Sequence, residues 1–317
     1  MKIACENIDI VMNVEMRRRG LPRGNKWAMY RMARELEDEA LCLAAARVFD
    51  RPPARVLIAT GAAVPEHMPV GENDGPIGTA VLARALQRMG HSIGVVTDAV
   101  SAPPIEGLFD HLGVDADVTT VEVGDTETPD RLLSEHDIVT AVERLGGNRN
   151  GFLHGVNGVL RSGHRANLDR LFFGAAEQGK PTVAIGDGGN EIGFGRIVER
   201  LEREMPEFAG KEATPCGGGV YSVVPADVLV VANSSNIGAY GVAAALALLR
   251  MDPALAHDAE LDLGLHHFGA GLGLVDGANG ARHAWCDGIP PEATAAVVTI
   301  MRAIVTQTLA PEHVRGF

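Results

Sequence analysis

Four glycine-rich segments of this 317-residue chain carry carboxylates and amides at spacings suited to acid–base or metal chemistry. They are Gly71-Glu-Asn-Asp-Gly-Pro-Ile-Gly-Thr79, Glu143-Arg-Leu-Gly-Gly-Asn-Arg-Asn-Gly151, Gly186-Asp-Gly-Gly-Asn-Glu-Ile-Gly-Phe-Gly195 and Asn233-Ser-Ser-Asn-Ile-Gly238. The third has five glycines in ten residues, which leaves its backbone and the carboxylates Asp187 and Glu191 to act on a closely held ligand. Two carboxylates in one such loop, with Glu143 following another strand, suit proton transfer or a hard divalent cation such as Mn or Mg. The competing structural role is a helix cap at Asp187 and a solvated Glu191. Pro76, after Asp74-Gly75, marks a helix start whose N–H groups bind a carboxylate or phosphate while Glu72 and Asp74 face the site, or else a plain turn with a first-turn proline.

Other chemistries lack their markers. The glycines of 186–195 do not spell G-x-G-x-x-G and no acidic residue follows at ribose distance, so no nucleotide cofactor is expected. Gly174 to Lys180 ends at Pro181 and runs into a strand, which excludes a P-loop. No H-E-x-x-H and no G-x-S-x-G occurs. Cys5, Cys42, Cys216 and Cys286 are scattered and read as reduced thiols. Asp276 and Asp287 each precede a glycine, either as hairpin turns or as carboxylates returned to the site.

Loops of this kind need strands to present them. After Pro52-Pro53, short apolar runs alternate with amphipathic stretches. Strands are expected at Arg55–Thr60, Ser92–Thr97, Val118–Val123, Asp137–Val142, Pro181–Ile185 and Val228–Val231. Helices are expected at 78–89, 167–178, 191–204, 239–249 and 291–309, with 250–283 unassigned. Strands so apolar are buried on both faces, which gives a doubly wound α/β fold with a mostly parallel sheet covered by helices. Residues 1–52 read as a helical N-terminal extension packed on a main domain of 53–317. In such sheets the ligand lies beyond the carboxyl ends of the strands, where all four loops fall.

The net charge of −13 disfavours nucleic acid and anionic lipid as partners. The longest clean apolar run, Val242 to Leu249, is too short to cross a bilayer, so a cytoplasmic protein is expected, with a homo-oligomer left open.

Three of these motifs, 71–79, 186–195 and Ser235-Asn-Ile-Gly-Ala-Tyr-Gly241, together resemble the D-glutamate cyclase-like family over about residues 10–290. Val142-Glu-Arg144, Asn148-Arg149 and the two Asp-Gly turns fall in matching order. The resemblance implies a hydro-lyase that closes D-glutamate to 5-oxo-D-proline and water, helped by manganese. It also implies correspondence with the carboxy-terminal part of vertebrate members, which carry a further N-terminal domain. Cyclisation needs a base, an acid and charge stabilisation. On this reading Glu143 is the base, while Asp187 and Glu191 hold a divalent cation or shuttle protons. The binding set for a small anionic amino acid is Glu72, Asn73, Asp74, Gly78, Thr79, Arg149, Asn157, Gly188, Gly189, Asn190, Asn236 and Gly238. Within it, helix starts near Gly78 and Gly238 hold carboxylates and Arg149 orients one of them. Two other readings share the site: a lactam-forming or lactam-opening enzyme for another small carboxylate, and a non-catalytic sensor of an anionic metabolite.

Overall fold

A computed structural model describes residues 1–17, 25–209 and 213–312. Its centre is one sheet of six parallel strands: β1 (Arg55–Ala59), β2 (Ser92–Thr97), β3 (Ala116–Thr120), β4 (Ile138–Val142), β5 (Thr182–Gly186) and β6 (Val228–Val231). Their order is β3-β2-β1-β4-β5-β6, so the direction of winding reverses between β1 and β4. Register is continuous across that junction, with Ile58 of β1 paired to Val95 of β2 and to Thr140 of β4. The four inner strands and β6 are buried along nearly their whole length, as their apolar sequences require. Edge strand β3 is only half-buried, and its Ala-Asp-Val-Thr-Thr sequence lies two residues earlier than periodicity suggested.

Three helices precede the sheet: α1 (Lys2–Met12), α2 (Asn25–Arg34) and α3 (Leu41–Phe49). Between the strands come α4 (Pro76–Arg88), α5 (Ala102–Leu112), α6 (Glu127–Glu135), α7 (Asp169–Glu177) and α8 (Val198–Glu204). After β6 come α9 (Ser235–Arg250), α10 (Ala259–Leu272) and α11 (Pro291–Leu309). Helices α4 and α5 pack on each other, as do α6 and α7, the pairing expected when right-handed crossovers put one pair on each face of the sheet. Helix α9 packs beside α4 over β4, β5 and β6, with α3 beside it on β6 and α11 also packed against it. It is buried from Ser235 to Leu248, so the Val242–Leu249 run is core and explains why this helix is apolar all round. The side chains of α1 and α3 enter the same core, and Asp9 of α1 accepts from the Leu41 and Cys42 N–H groups at the start of α3.

Sequence periodicity missed α5, α6 and α10. Helix α5 opens Ala-Pro-Pro, and α6 is nine residues with only Pro129, Leu132 and Leu133 buried, too few apolar positions to display a period. The helix expected over 191–204 begins only at Val198, because residues 191–197 pair with other loops; α9 starts four residues earlier than expected, capped by the Ser234 hydroxyl accepting from Ile237 N–H. All four cysteines are free thiols. Among the described residues no helix is long and apolar enough to cross a membrane.

Candidate active site

The loops after β1, β4 and β5 enclose a cavity of about 520 Å³ at the switch point. A buried clamp sets their spacing. Arg144, fully buried, pairs with both oxygens of Asp98 beyond β2 and donates to the carbonyls of Thr60, Gly61 and Ala166. One residue earlier, Glu143 takes φ +52°, a left-handed conformation uncommon outside glycine, and thereby turns its carboxyl away from the strand into the cavity. Gly75 makes room for it. At φ +92° it has no Cβ, and one built there would meet Glu143 Cβ at 2.7 Å.

The glycine-rich loop after β5 pairs antiparallel with the loop after β4, with Gly146 N–H donating to Asn190 O and Ile192 N–H to Arg144 O. Glu191 is thereby carried next to Glu143. Its Oε1 accepts from the Asp187 and Gly188 N–H groups, while its Oε2 is buried without a hydrogen-bond partner. Burial pushes the Glu191 carboxyl up, against the backbone donors and the Lys26 charge that would lower it. The Glu143 carboxyl is driven up well above the usual range by burial and then by Glu191, Asp74, Glu72 and Asp287; Ser235 Oγ donates to its Oε2 at 2.5 Å.

Asp74 lies between two helix starts. Its Oδ2 accepts from Ser235 N–H at 3.0 Å and its Oδ1 from Asn236 N–H at 2.7 Å, capping α9. Asn236 returns the contact, its Oδ1 accepting from the Gly75 and Gly78 N–H groups at 3.0 and 2.6 Å to cap α4. The helices approach so closely that a Cβ on Gly78 would meet Asn236 Cα at 2.7 Å. Burial, followed by the charge of Asp287, pushes the Asp74 carboxyl up to about 7.

Oxygens of Asp74, Glu143 and Asp187 lie within 4.8 Å of one another. An all-carboxylate set of this kind fits a hard divalent cation in donor chemistry. The pair expected from sequence was Asp187 and Glu191; the oxygens that cluster are those of Asp187, Asp74 and Glu143, while Glu191 directs Oε1 at the N–H groups of its own loop. No metal identity follows from these donors.

Several expected binding residues do line the cavity: Glu72, Asn157, Gly188 and Asn190. Glu72 is pushed well up by burial and by Asp287. Asn190 donates to His154 O and leaves its Oδ1 buried without a partner. Others form the frame behind it. Asn73 holds the carbonyls of His283 and Trp285, Thr79 is interior to α4, Gly189 sits against Tyr221, and Gly238 N–H donates to Ser234 O inside α9. The helix starts near Gly78 and Gly238 are therefore occupied by Asn236 and Ser234, and are not open to a substrate carboxylate. Arg149 is half-exposed, does not line the cavity and pairs with Glu202 at 2.5 Å, because the turn at 148–151 faces α8.

Three charged residues of the site, Lys26, Arg161 and Arg165, lay outside the sequence reading, and a fourth, Asp287, was one of the two carboxylates it left open between a hairpin turn and the site. Lys26, from the first turn of α2, donates to Asp187 Oδ2, to Asn233 O at 2.8 Å and to Asp287 Oδ2 at 3.2 Å. Asp287 arrives on the second Asp-Gly turn with φ +54°, while Asp276 stays behind it, holding the Gly288 N–H and its own turn. Arg161 and Arg165 line the wall facing Glu72. Arg165 donates to Ala63 O, and burial brings its guanidinium down to about 10 against the pull of Glu72. Arg161 makes no side-chain hydrogen bond or ion pair among the described residues, and burial lowers its pKa too. Only the Asp-Gly dipeptides had flagged any of these; the lysine and arginines come from segments without a motif.

A doubly wound parallel sheet with a carboxylate-lined cavity at its switch point, where such sheets place their ligand sites, defines an α/β protein of the open, doubly wound class. Residues 16–302 match the family model described as D-glutamate cyclase-like, C-terminal, and the chain belongs to that family. It is 27% identical over 247 residues to the human D-glutamate cyclase, mitochondrial, an alignment covering 73% of this chain and 38% of that protein's length. The chain thus spans well under half of that relative. A solved NADH-dependent reductase complexed with NAD matches at 15% identity and TM-score 0.27 over 53% of this chain and 77% of its own, a likeness too low to bear on the site.

Proposed function

We propose that the protein is a hydro-lyase that closes D-glutamate, or a closely related amino acid, to 5-oxo-D-proline with loss of water. Family membership supports the reaction class. The observation that carries the proposal is the pairing, in one cavity, of Glu191 Oε2, buried and without a partner, with the unpaired guanidinium of Arg161. The first is a free proton acceptor and the second a free carboxylate anchor. A cavity of about 520 Å³ holds a five-carbon amino acid with room for the water released.

In this reading Arg161 takes the α-carboxylate through its forked N–H groups, and Arg165 adds positive charge on the same wall. The substrate ammonium is drawn to the acidic wall opposite, which brings nitrogen and side-chain carboxyl carbon together. Two protons leave nitrogen and two join the departing oxygen, so one carboxyl that accepts and returns protons suffices. Glu191 fills that role: burial raises its hold on a proton above that of an ordinary carboxyl, and its anchored Oε1 fixes the direction of Oε2. Glu143, expected from sequence as the base, is assigned instead to the carboxylate cradle with Asp74 and Asp187. That cradle would hold a divalent cation, Mn or Mg, which when bound supplies positive charge to the oxyanion formed on attack.

The test is NMR of purified protein with D-glutamate, L-glutamate and 5-oxoproline, with and without manganese. Formation of 5-oxoproline from the D-isomer alone is the expected result. Conversion of neither isomer, by protein that remains folded, would overturn the proposal.

A further inference from the structure

Lys26 shares the acidic cluster that fits a divalent cation, and it does so from a helix outside the sheet. Its side chain is 9% exposed, and its ammonium is held by Asp187, Asn233 O and Asp287. Asp187 also belongs to the group whose oxygens lie within 4.8 Å of each other. The carboxylate that completes the cradle is therefore the one Lys26 neutralises. Glu191 Oε2, buried and unpartnered on the same cavity, shows acceptor capacity that the lysine leaves unused.

We propose that Lys26 is a built-in competitor for the cation: its ammonium occupies the Asp187 side of the cluster when no cation is bound and is displaced from Asp187 when one binds. The inference rests on the cation-holding role of Asp74, Glu143 and Asp187 proposed above. An ammonium and a divalent cation sharing one carboxylate repel strongly at such separations in a buried site. One of them must move. A lysine can: four methylenes separate its charge from the backbone, and Asp287 and Asn233 O give its ammonium a place to stay after it leaves Asp187. The rest of α2 need not follow, since Met29 and Tyr30 anchor it in the core. The device keeps the cluster neutralised without a cation and limits how tightly a cation is held.

The test is the manganese affinity of wild type, Lys26→Met and Lys26→Arg, by calorimetry or by the EPR signal of free manganese. Lys26→Met should bind at least about tenfold more tightly than wild type, a difference of about 1.4 kcal/mol, whereas Lys26→Arg should bind no more tightly. Affinity that is unchanged or weaker in Lys26→Met would overturn the inference, as would failure of all three to bind. A second measurement uses wild type alone: acetic anhydride should label Lys26 faster once manganese is present, and equal or slower labelling counts against displacement. D-glutamate turnover is followed in parallel. Competition without turnover leaves this inference standing and removes the cyclase reading; turnover without manganese binding does the reverse.

Discussion

At the junction of α4 and α9, both oxygens of Asp74 and both polar atoms of Asn236 have partners within the protein, and each residue caps the other's helix. In the adjoining cavity Glu191 Oε2 and the Arg161 guanidinium have none among the described residues, and Glu143 and Asp287 sit on left-handed backbone. Buried carboxylates therefore serve opposite ends in two adjoining regions. Satisfied polar groups give the junction a single geometry and make it a frame. Groups with open capacity, held at an energetic cost, mark where a ligand completes the structure. The acid-bearing motif 71–79 and the acid-free segment 233–238 feed mainly the frame, whereas 186–195 feeds the cavity.

The strongest way to break this contrast is Glu191→Gln. The amide keeps Oε1 for the Asp187 and Gly188 N–H groups, and the oxygen it replaces has no partner, so the fold should stay within about 1 kcal/mol of wild type. If Glu191 carries the protons, turnover should fall by about 10²–10⁴. Rates of 5-oxoproline formation beside a urea melt would separate the two effects, and an active Glu191→Gln enzyme would return the proton role to Glu143.

Asn236→Ala should do the reverse. It strips two buried N–H groups of their acceptor at the start of α4 and the Asn73 carbonyl of a donor, each left unmade at about 1–3 kcal/mol. A loss of about 3 kcal/mol in unfolding free energy is expected, read as a lower urea midpoint at unchanged slope.

Asp74 belongs to both regions, which makes its charge the next test. Its folded-state pKa of about 7 lies above the value near 4 of an unfolded aspartate. The folded chain then binds a proton that the unfolded chain has released. Its contribution to stability is fully present below about pH 4 and is lost as pH rises through 7. On the proposed reading a divalent cation takes the place of that proton. Manganese at about a hundred times its dissociation constant should stabilise the protein by about 2.7 kcal/mol at pH 8, and chelation should remove the gain. At pH 5, where protons compete for the carboxylates, the same addition should raise the melting temperature much less. Equal shifts at both pH values would mean the cation binds elsewhere.

The sheet and the four loops at its carboxyl edge were legible because buried parallel strands write continuous apolar runs and the loops between them need glycine. What periodicity could not show was which polar group each loop residue meets. Gly78 and Gly238 stand at helix starts as an anion site requires, yet the first is occupied by Asn236 from the neighbouring helix and the second by Asp74 and the helix's own Ser234; the pairings of Asn236 with Gly75 and Gly78, and of Asp74 with Ser235 and Asn236, are long-range and no local pattern encodes them. Lys26 was illegible for the same reason, since its partners Asp187 and Asp287 lie 161 and 261 residues away.

Two arginines give the finest version of the contrast. Arg149 sits inside a motif and Arg161 in a segment with none, but only Arg161 lines the cavity. Arg161→Gln removes a charged donor from the wall facing Glu72, and such a bond to a carboxylate contributes about 1.5–3 kcal/mol, so KM for D-glutamate should rise about tenfold or more. Arg149→Gln removes a half-exposed partner of Glu202, an ion pair on the outside of the 148–151 turn. Exposed pairs contribute about 0–1 kcal/mol, so stability should shift by less than that and KM by less than about twofold. The pair of variants distinguishes position in the fold from position in a motif. Should Arg149→Gln raise KM while Arg161→Gln does not, the substrate would be entering from the α8 side, and the cavity at the switch point would not be its seat.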